Sequence, residues 1–255
     1  MKHLFSLLRH ELHILLITPS TYVAAVLFLF SMGVIYLLLL LEFSSSAQEN
    51  LPSVMFFNTF WLPVFFVVPL LTMKSIAEER RLGTLETLLA TPTPVAAVVF
   101  SKFLGAYIFY MLLWLSTLSF PFIIKSTLID VNVDQQQIFD LGSLFGGYLY
   151  IAISGLLFIA IGIFSSSLTR SQLVAGILTF SCLFIFVIGG RLSLKIPMLG
   201  TLSLNWIDSF QDYFQNFEHL MDFSRGIIDT RPLFYYTSLS LLLLGLAVLV
   251  VESKK

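Results

Sequence analysis

The sequence predicts an all-α integral membrane protein with six transmembrane helices. Of its 255 residues, 57% are hydrophobic and 11% are charged, whereas a soluble domain carries roughly 25% charged residues. Apolar runs of the length that crosses a bilayer core as a helix recur along the chain. The single cysteine, Cys182, lies inside one of these runs and forms neither a disulfide framework nor a zinc-binding pattern. We therefore expect a chain embedded in lipid over most of its length.

Six apolar runs predict the transmembrane spans and the domain organisation. The predicted spans cover about residues 22–41, 56–73, 95–124, 144–164, 173–190 and 233–251. They are expected to form a single transmembrane domain over residues 1–255, with an interfacial helix at 1–19, a cytoplasmic loop at 74–94 and an outer segment at 191–232. Pro63 and Pro69 predict kinks in the second span, and Pro121 predicts a bend or end in the third.

The segment before the first span has the pattern of a helix that lies in the membrane interface. Its apolar residues share one helical stripe: Phe5, Leu8, Leu12, Leu15 and Leu16. Polar and basic residues occupy the remaining positions, as is typical of interfacial helices. Pro19 is expected to end this helix before the first span begins.

The outer segment contains a second amphipathic stretch. Its apolar residues recur at helical spacing: Trp206, Phe210, Tyr213, Phe214, Phe217, Leu220 and Met221. Asp208, Asp212, Gln215 and Asp222 lie opposite. The pattern predicts a helix at the outer surface. It is compatible with a cover over the outer mouth of the bundle and with a role in gating.

Basic residues are distributed unequally about the six predicted spans. With six spans both termini share one side, which then carries nine basic residues against five on the other. The nine are Lys2, Arg9, Lys74, Arg80, Arg81, Lys102, Arg170, Lys254 and Lys255, and the five are Lys125, Arg191, Lys195, Arg225 and Arg231. Lysine and arginine are retained on the cytoplasmic side, so both termini are predicted to be cytoplasmic.

The sequence lacks the motifs of nucleotide binding and catalysis. No G-x-x-x-x-G-K-[ST] loop occurs, and no stretch outside the spans is long enough for a nucleotide-binding domain. His10 and His13 lack the further ligands that a metal site needs. Ser165, Ser166 and Ser167 are expected to end the fourth span by satisfying backbone groups. We expect no catalytic residue, cofactor, metal or nucleic-acid partner.

Charge inside the predicted spans is scarce. No acidic residue lies in the middle of a span, and intramembrane acids are the usual mark of proton- or ion-coupled carriers. Lys102 lies near the cytoplasmic start of the third span, where its side chain is expected to reach the interface by snorkelling. A secondary carrier is therefore disfavoured.

The loop at 74–94 has ordered helix-capping signals. The second span is predicted to continue into a charged helical turn, after which Gly83 permits a left-handed cap. Thr84 is a predicted N-cap, with Glu86 in the first turn of a short helix that Pro92 stops. Leu85, Leu88 and Leu89 form its apolar face. Thr93 as N-cap and Pro94 as first helical residue are predicted to start the next helix.

The loop also carries a recognisable motif. The stretch Glu-Glu-Arg-Arg-Leu-Gly-Thr-Leu-Glu-Thr-Leu-Leu-Ala-Thr-Pro and the following Lys102-Phe-Leu-Gly105 resemble the signature region of ABC-2-type permeases. Within that superfamily the chain most resembles the gliding-motility-associated permease family, and more distantly the permease of nitrous-oxide-reductase maturation. Three further stretches support the resemblance: Leu141-Gly-Ser, Gly162-Ile-Phe-Ser-Ser-Ser-Leu-Thr-Arg-Ser-Gln172 and Phe223-Ser-Arg-Gly-Ile-Ile-Asp-Thr-Arg231.

The resemblance implies the membrane subunit of an ATP-driven exporter in the bacterial cytoplasmic (inner) membrane. Its implied partners are a cytoplasmic ABC ATPase, a second permease copy or related subunit, and membrane lipids. The residues implied to form the ATPase-coupling region are Glu78, Glu79, Arg80, Arg81, Gly83, Thr84 and Glu86, with Arg170 in a lesser contact at the turn 165–172. A non-transport machine that drives mechanical signalling or assembly remains an alternative.

Overall fold

The helices form a bundle in which helical structure dominates every described range. The computed structural model describes residues 2–45, 52–85, 93–120, 141–193, 216–227 and 229–253. The helices are α1 (Lys2–Ile17), α2 (Pro19–Ser45), α3 (Pro52–Asn58), α4 (Trp61–Thr72), α5 (Ala77–Leu82), α6 (Val95–Ser116), α7 (Leu141–Leu168), α8 (Gln172–Ser193), α9 (Asn216–Ser224) and α10 (Thr230–Glu252). The prediction of an all-α membrane protein is confirmed.

Five stretches of the described residues are long and apolar enough to cross a bilayer. They are Pro19–Leu39, Trp61–Leu82, Val95–Ser116, Gly142–Leu168 and Thr230–Glu252. A shorter apolar helix, Gln172–Ile188, corresponds to the fifth predicted span. Helix α6 ends at Ser116, where the third predicted span continues, and the hydroxyl of Thr117 donates to the carbonyl of Trp114 at 2.7 Å. Pro121 and the rest of that predicted span, to residue 124, lie outside the described residues.

Helix α7 occupies the centre of the bundle. It packs against α4, α6, α8, α9 and α10. Close packing depends on glycine: a Cβ at Gly155 would overlap the ring of Tyr110, and one at Gly162 would overlap the side chain of Thr72. Small residues of this kind let helices approach within a membrane, where no hydrophobic effect draws them together.

The helix of the second predicted span breaks near Pro63, where the sequence predicts a kink, and again where the predicted span ends. The first break separates α3 from α4 at residues 59–60. Pro63 explains it, since a proline has no N–H for the carbonyl four residues earlier, here Thr59, and its ring clashes with that carbonyl. The second break is a turn over residues 73–76, between α4 and α5.

The N-terminal helix packs on the bundle through only part of its predicted apolar stripe. Helix α1 lies along α6. Leu8, Leu12 and Leu15 are half-buried, whereas Phe5 is 71% exposed and Leu16 is 50% exposed. Pro19 begins α2 after a break at Thr18, as the sequence predicts. The predicted single stripe is therefore two surfaces, one facing α6 and one left open.

The connection between α9 and α10 is set by two local signals. Gly226 has φ +81°, and the N–H of Ile227 donates to the carbonyl of Asp222 at 2.9 Å, which is a Schellman ending for α9. Asp229 caps α10, because its carboxylate accepts from the N–H of Arg231 at 3.0 Å. Of the predicted outer amphipathic stretch, residues 206–215 lie outside the described ranges.

Candidate functional site

A buried ion-pair network joins three helices at one end of the bundle. The ammonium nitrogen of Lys102 lies 2.7 Å from Oε1 of Glu11 and 2.6 Å from Oε1 of Glu79. Lys102 is only 4% exposed. Lys102 lies on α6, so these ion pairs connect α6 to both α1 and α5. We call the end of the bundle where Glu11, Glu79 and Lys102 lie the charged end.

The sequence next to Lys102 allows this network to form. Gly105 faces α1, where a Cβ would come within 3.2 Å of Cβ of Glu11 and 3.7 Å of a methyl group of Leu15. The missing side chain lets α1 lie close to α6. The motif Lys102-Phe-Leu-Gly105 therefore places a cation and the space for its carboxylate partner one turn apart.

The prediction that Lys102 snorkels to the interface was wrong, because two carboxylates hold its ammonium group inside the protein. Reasoning from the sequence missed Glu11 as the partner. A signal was present: Glu11 follows Leu8 by three residues and precedes Leu15 by four, so it shares the packed face of α1. An acid on a packed face requires a cation.

Helix α5 is also anchored to the end of α7. The hydroxyl oxygen of Ser166 accepts from the backbone N–H groups of Ile76 at 3.1 Å and Ala77 at 3.0 Å. Nη1 of Arg80 donates to the carbonyl of Ser167 at 2.5 Å. The serines were predicted to end the fourth span, but α7 continues to Leu168. Ser166 instead satisfies the free N–H groups at the start of another helix.

Removing this anchor should loosen α5. We expect Ser166→Ala to lower the free energy of unfolding by about 1–2 kcal/mol, because two buried N–H groups lose their acceptor. Hydrogen exchange measured by mass spectrometry should show faster exchange at the amides of Ile76 and Ala77. Ser167→Ala is the matched control, since that hydroxyl bonds only the carbonyl of Phe164 in its own helix. Equal exchange in the two variants would contradict the assignment.

The remaining predicted coupling residues lie mostly at the surface. Gly83 ends α5 with φ 73°, which confirms the predicted left-handed cap. Thr84 is exposed, and its hydroxyl donates to the carbonyl of Glu79 at 3.3 Å. Arg81 and Glu78 form an exposed pair at 3.8 Å. Glu86 lies outside the described residues, as do Leu88 and Leu89 of the predicted apolar face.

Two details of the predicted loop differ in the structure. Leu85 is buried rather than displayed as part of an open apolar face. Helix α6 begins at Val95 with Pro94 as its extended N-cap residue, one position later than predicted. Arg170 is exposed and close enough for its charge to act on Arg80. The turn at 165–172 therefore lies next to α5.

The histidines do not build a metal site within the described ranges. No group of three or more His, Cys, Asp or Glu side chains is close enough there to hold a metal ion. His10 and His13 are exposed on α1. His219 on α9 is half-buried, and burial lowers its pKa while Asp222, Asp229 and Glu218 oppose the shift.

Comparison with known families decides the class of this molecule. The sequence model of the family described as ABC-2 family transporter protein matches residues 23–252. The chain belongs to this family. The search of curated proteins gives no match.

Membership of the ABC-2 family assigns the chain a place in a larger machine. It is a permease subunit of an ABC transporter, a multi-pass membrane component that works with an ABC ATPase. Members of the family are non-catalytic membrane subunits. The match begins at residue 23 and so leaves out α1 and its Glu11. The network at Lys102 therefore joins the family's permease region to a helix outside the match.

Proposed function

We propose that this ABC-2 permease couples ATP hydrolysis by a separate cytoplasmic ATPase to export across the cytoplasmic membrane. The observation that supports the proposal is the anchoring of α5, which is bonded to the bundle at one end and exposed at the other. Its start is held by Ser166 and Lys102, and its end is open to solvent at Arg81, Leu82 and Gly83. A helix held on one side and exposed on the other is suited to receive a partner's motion.

The motion would reach the membrane helices by two routes. The first runs from Glu79 through Lys102 into α6 and through Glu11 into α1. The second runs from Arg80 and Ala77 into the end of α7, the central helix. Because α7 packs against most of the bundle, displacement of α5 would be transmitted to several spans. In this proposal the coupling residues are Glu78, Glu79, Arg80, Arg81, Gly83, Thr84 and Glu86, with Arg170 in the secondary contact.

The arrangement implies a topology and an assembly. The charged end and both termini would face the cytoplasm, in accord with the excess of basic residues there. A second copy or a related permease would complete the pathway, and the chain would form one membrane domain over residues 1–255. The exposed apolar residues of α2, α8 and α10 supply surface for lipid and for such a subunit. Affiliation with the gliding-type permeases stays a prediction from the motifs.

Site-specific photo-crosslinking in the full chain tests the docking site. A photoreactive residue at Leu82, which is 62% exposed, should form an adduct with an ABC ATPase in cell membranes. The matched control is Ile227, which is 59% exposed and follows α9 at the opposite end. We expect the ATPase adduct from Leu82 alone. An ATPase adduct from Ile227, or none from Leu82 in a complex that retains its ATPase, would contradict the proposal.

Coupling is tested separately from docking. In proteoliposomes that contain the complete complex, Gly83→Ala should reduce the part of the ATPase activity that the permease stimulates. The reason is that alanine is strained at φ 73°. Gly83→Asn is the control, since asparagine tolerates this conformation. Among the described residues no atom lies within 4 Å of a Cβ at this position, so we attribute a loss to backbone geometry. ATP hydrolysis that never moves cargo would favour the mechanical alternative over export.

A further inference from the structure

A cavity of about 220 Å³ opens beside the ion-pair network, between α1, α2, α4, α5 and α6. Charges of both signs line it. The charged residues are Glu11, Lys74, Glu78, Glu79 and Lys102. The two lysines and three glutamates leave the lining with a net negative charge. An anionic ligand would therefore be less favoured here than one that carries both signs.

Two groups in this cavity have unused bonding capacity. Glu78 lines the cavity, and its Oε1 lies 3.8 Å from Nη2 of the exposed Arg81, beyond hydrogen-bond distance. Its carboxylate therefore keeps the capacity to accept a hydrogen bond. Lys74 donates to the hydroxyl of Ser20 at 3.0 Å and has no carboxylate within ion-pair distance among the described residues. The cavity thus offers an acceptor for a cation and a cation for an anion.

An apolar groove of about 260 Å³ continues from this cavity along the membrane span. It lies between α2 and α4, and Leu70 lines both spaces. The other groove residues are almost all apolar: Ala24, Leu27, Phe28, Pro63, Phe66 and Val67. From Leu70 to Pro63 the helix rises about 10 Å, at 1.5 Å per residue. That length suits part of an acyl chain.

We propose that the cavity and the groove together bind one phospholipid with a primary ammonium headgroup, of the phosphatidylethanolamine type. The carboxylate of Glu78 accepts from the ammonium group, Lys74 binds the phosphate, and one acyl chain lies in the groove beside Leu70. The lipid comes from the leaflet at the charged end. It contacts α4 and α5 at once, so it joins the span to the segment that carries the coupling residues.

Native mass spectrometry of the full chain in detergent tests the headgroup. The delipidated protein is mixed with phosphatidylethanolamine, phosphatidylcholine or phosphatidylglycerol that carry identical acyl chains. We expect phosphatidylethanolamine to bind about ten-fold more tightly than phosphatidylcholine, the factor that one charge-assisted hydrogen bond contributes. Choline has no N–H to donate. Equal binding of these two lipids, or tighter binding of phosphatidylglycerol, overturns the proposal.

Two variants test the position of the lipid. Lys74→Met should weaken phosphatidylethanolamine binding about ten-fold through loss of the phosphate contact. Leu70→Trp should weaken it at least as much by filling the junction of cavity and groove. The matched controls are Arg225→Met, which removes an exposed cation beyond α9, and Leu241→Trp, which enlarges an exposed residue of α10. Both controls should bind as the original protein does. The same loss in controls and test variants overturns the assignment.

Discussion

Lys102→Met should lower the free energy of unfolding by about 3–5 kcal/mol, the cost of removing one partner from a buried ion pair. Glu11 on α1 and Glu79 on α5 both bond the same ammonium group. Without it, two carboxylates, whose side chains are only 16% and 25% exposed, are left close together with no cation between α1 and α5. Their repulsion should release α1 and α5 from α6. Unfolding of the purified chain by titration with sodium dodecyl sulfate in mixed micelles measures the loss.

Two comparisons separate the ion pair from a simple loss of packing. Lys74→Met removes a lysine at the same end, but one that bonds only Ser20 among described residues, and should cost less than about 1 kcal/mol. The triple variant Lys102→Met, Glu11→Gln, Glu79→Gln should recover much of the stability, because no uncompensated charge remains. If Lys102→Met lowered the free energy of unfolding no more than Lys74→Met does, the ion-pair network would contribute little to stability. If the triple variant did not recover stability, the loss in Lys102→Met would be due to lost packing rather than to uncompensated charge.

Local signals in the sequence predicted the helices well. Span positions follow from apolar run length, which depends only on consecutive residues. The left-handed cap at Gly83 follows from one residue type, as does the break before Pro19. Such features are encoded within a few residues, so a reading of the sequence finds them. The break at residues 59–60 lies one turn before Pro63, where the sequence predicts a kink from the proline alone.

The bonds that build the candidate site were not predicted, because their partners are distant in sequence. Glu11 and Lys102 are 91 residues apart, and Ile76 and Ser166 are 90 apart. Only the packing of α1 on α6, and of α5 on α7, brings these groups together. The resemblance predicts that Glu79 and Arg80 belong to a coupling region, and this stays a prediction. Their specific partners depend on tertiary contacts that no local pattern encodes.

The second large effect is expected at the opposite end, where α9 docks on α7. Gly146→Ala should destabilise the protein by about 1–3 kcal/mol, the usual cost of overpacking a close contact. A Cβ at Gly146 would overlap the carbonyl oxygen of Phe223. That neighbour is backbone, so it has no rotamer by which to move aside. Helix α9 must shift and expose Leu220 and Phe223, which are 0% and 1% exposed.

Gly245→Ala is the matched control for this prediction. A Cβ at Gly245 has no atom of the described residues within 4 Å, and the residue lies inside α10. Alanine there should be neutral or stabilising by up to about 1 kcal/mol, because glycine is the poorer helix former. Detergent titration should therefore show a lower free energy of unfolding for Gly146→Ala and an equal or higher one for Gly245→Ala than for the original protein. Hydrogen exchange should rise in Gly146→Ala at the amides of Gly226 and Ile227, whose bonds end α9. Equal stability and exchange in both variants would mean that α9 does not depend on the close contact at Gly146.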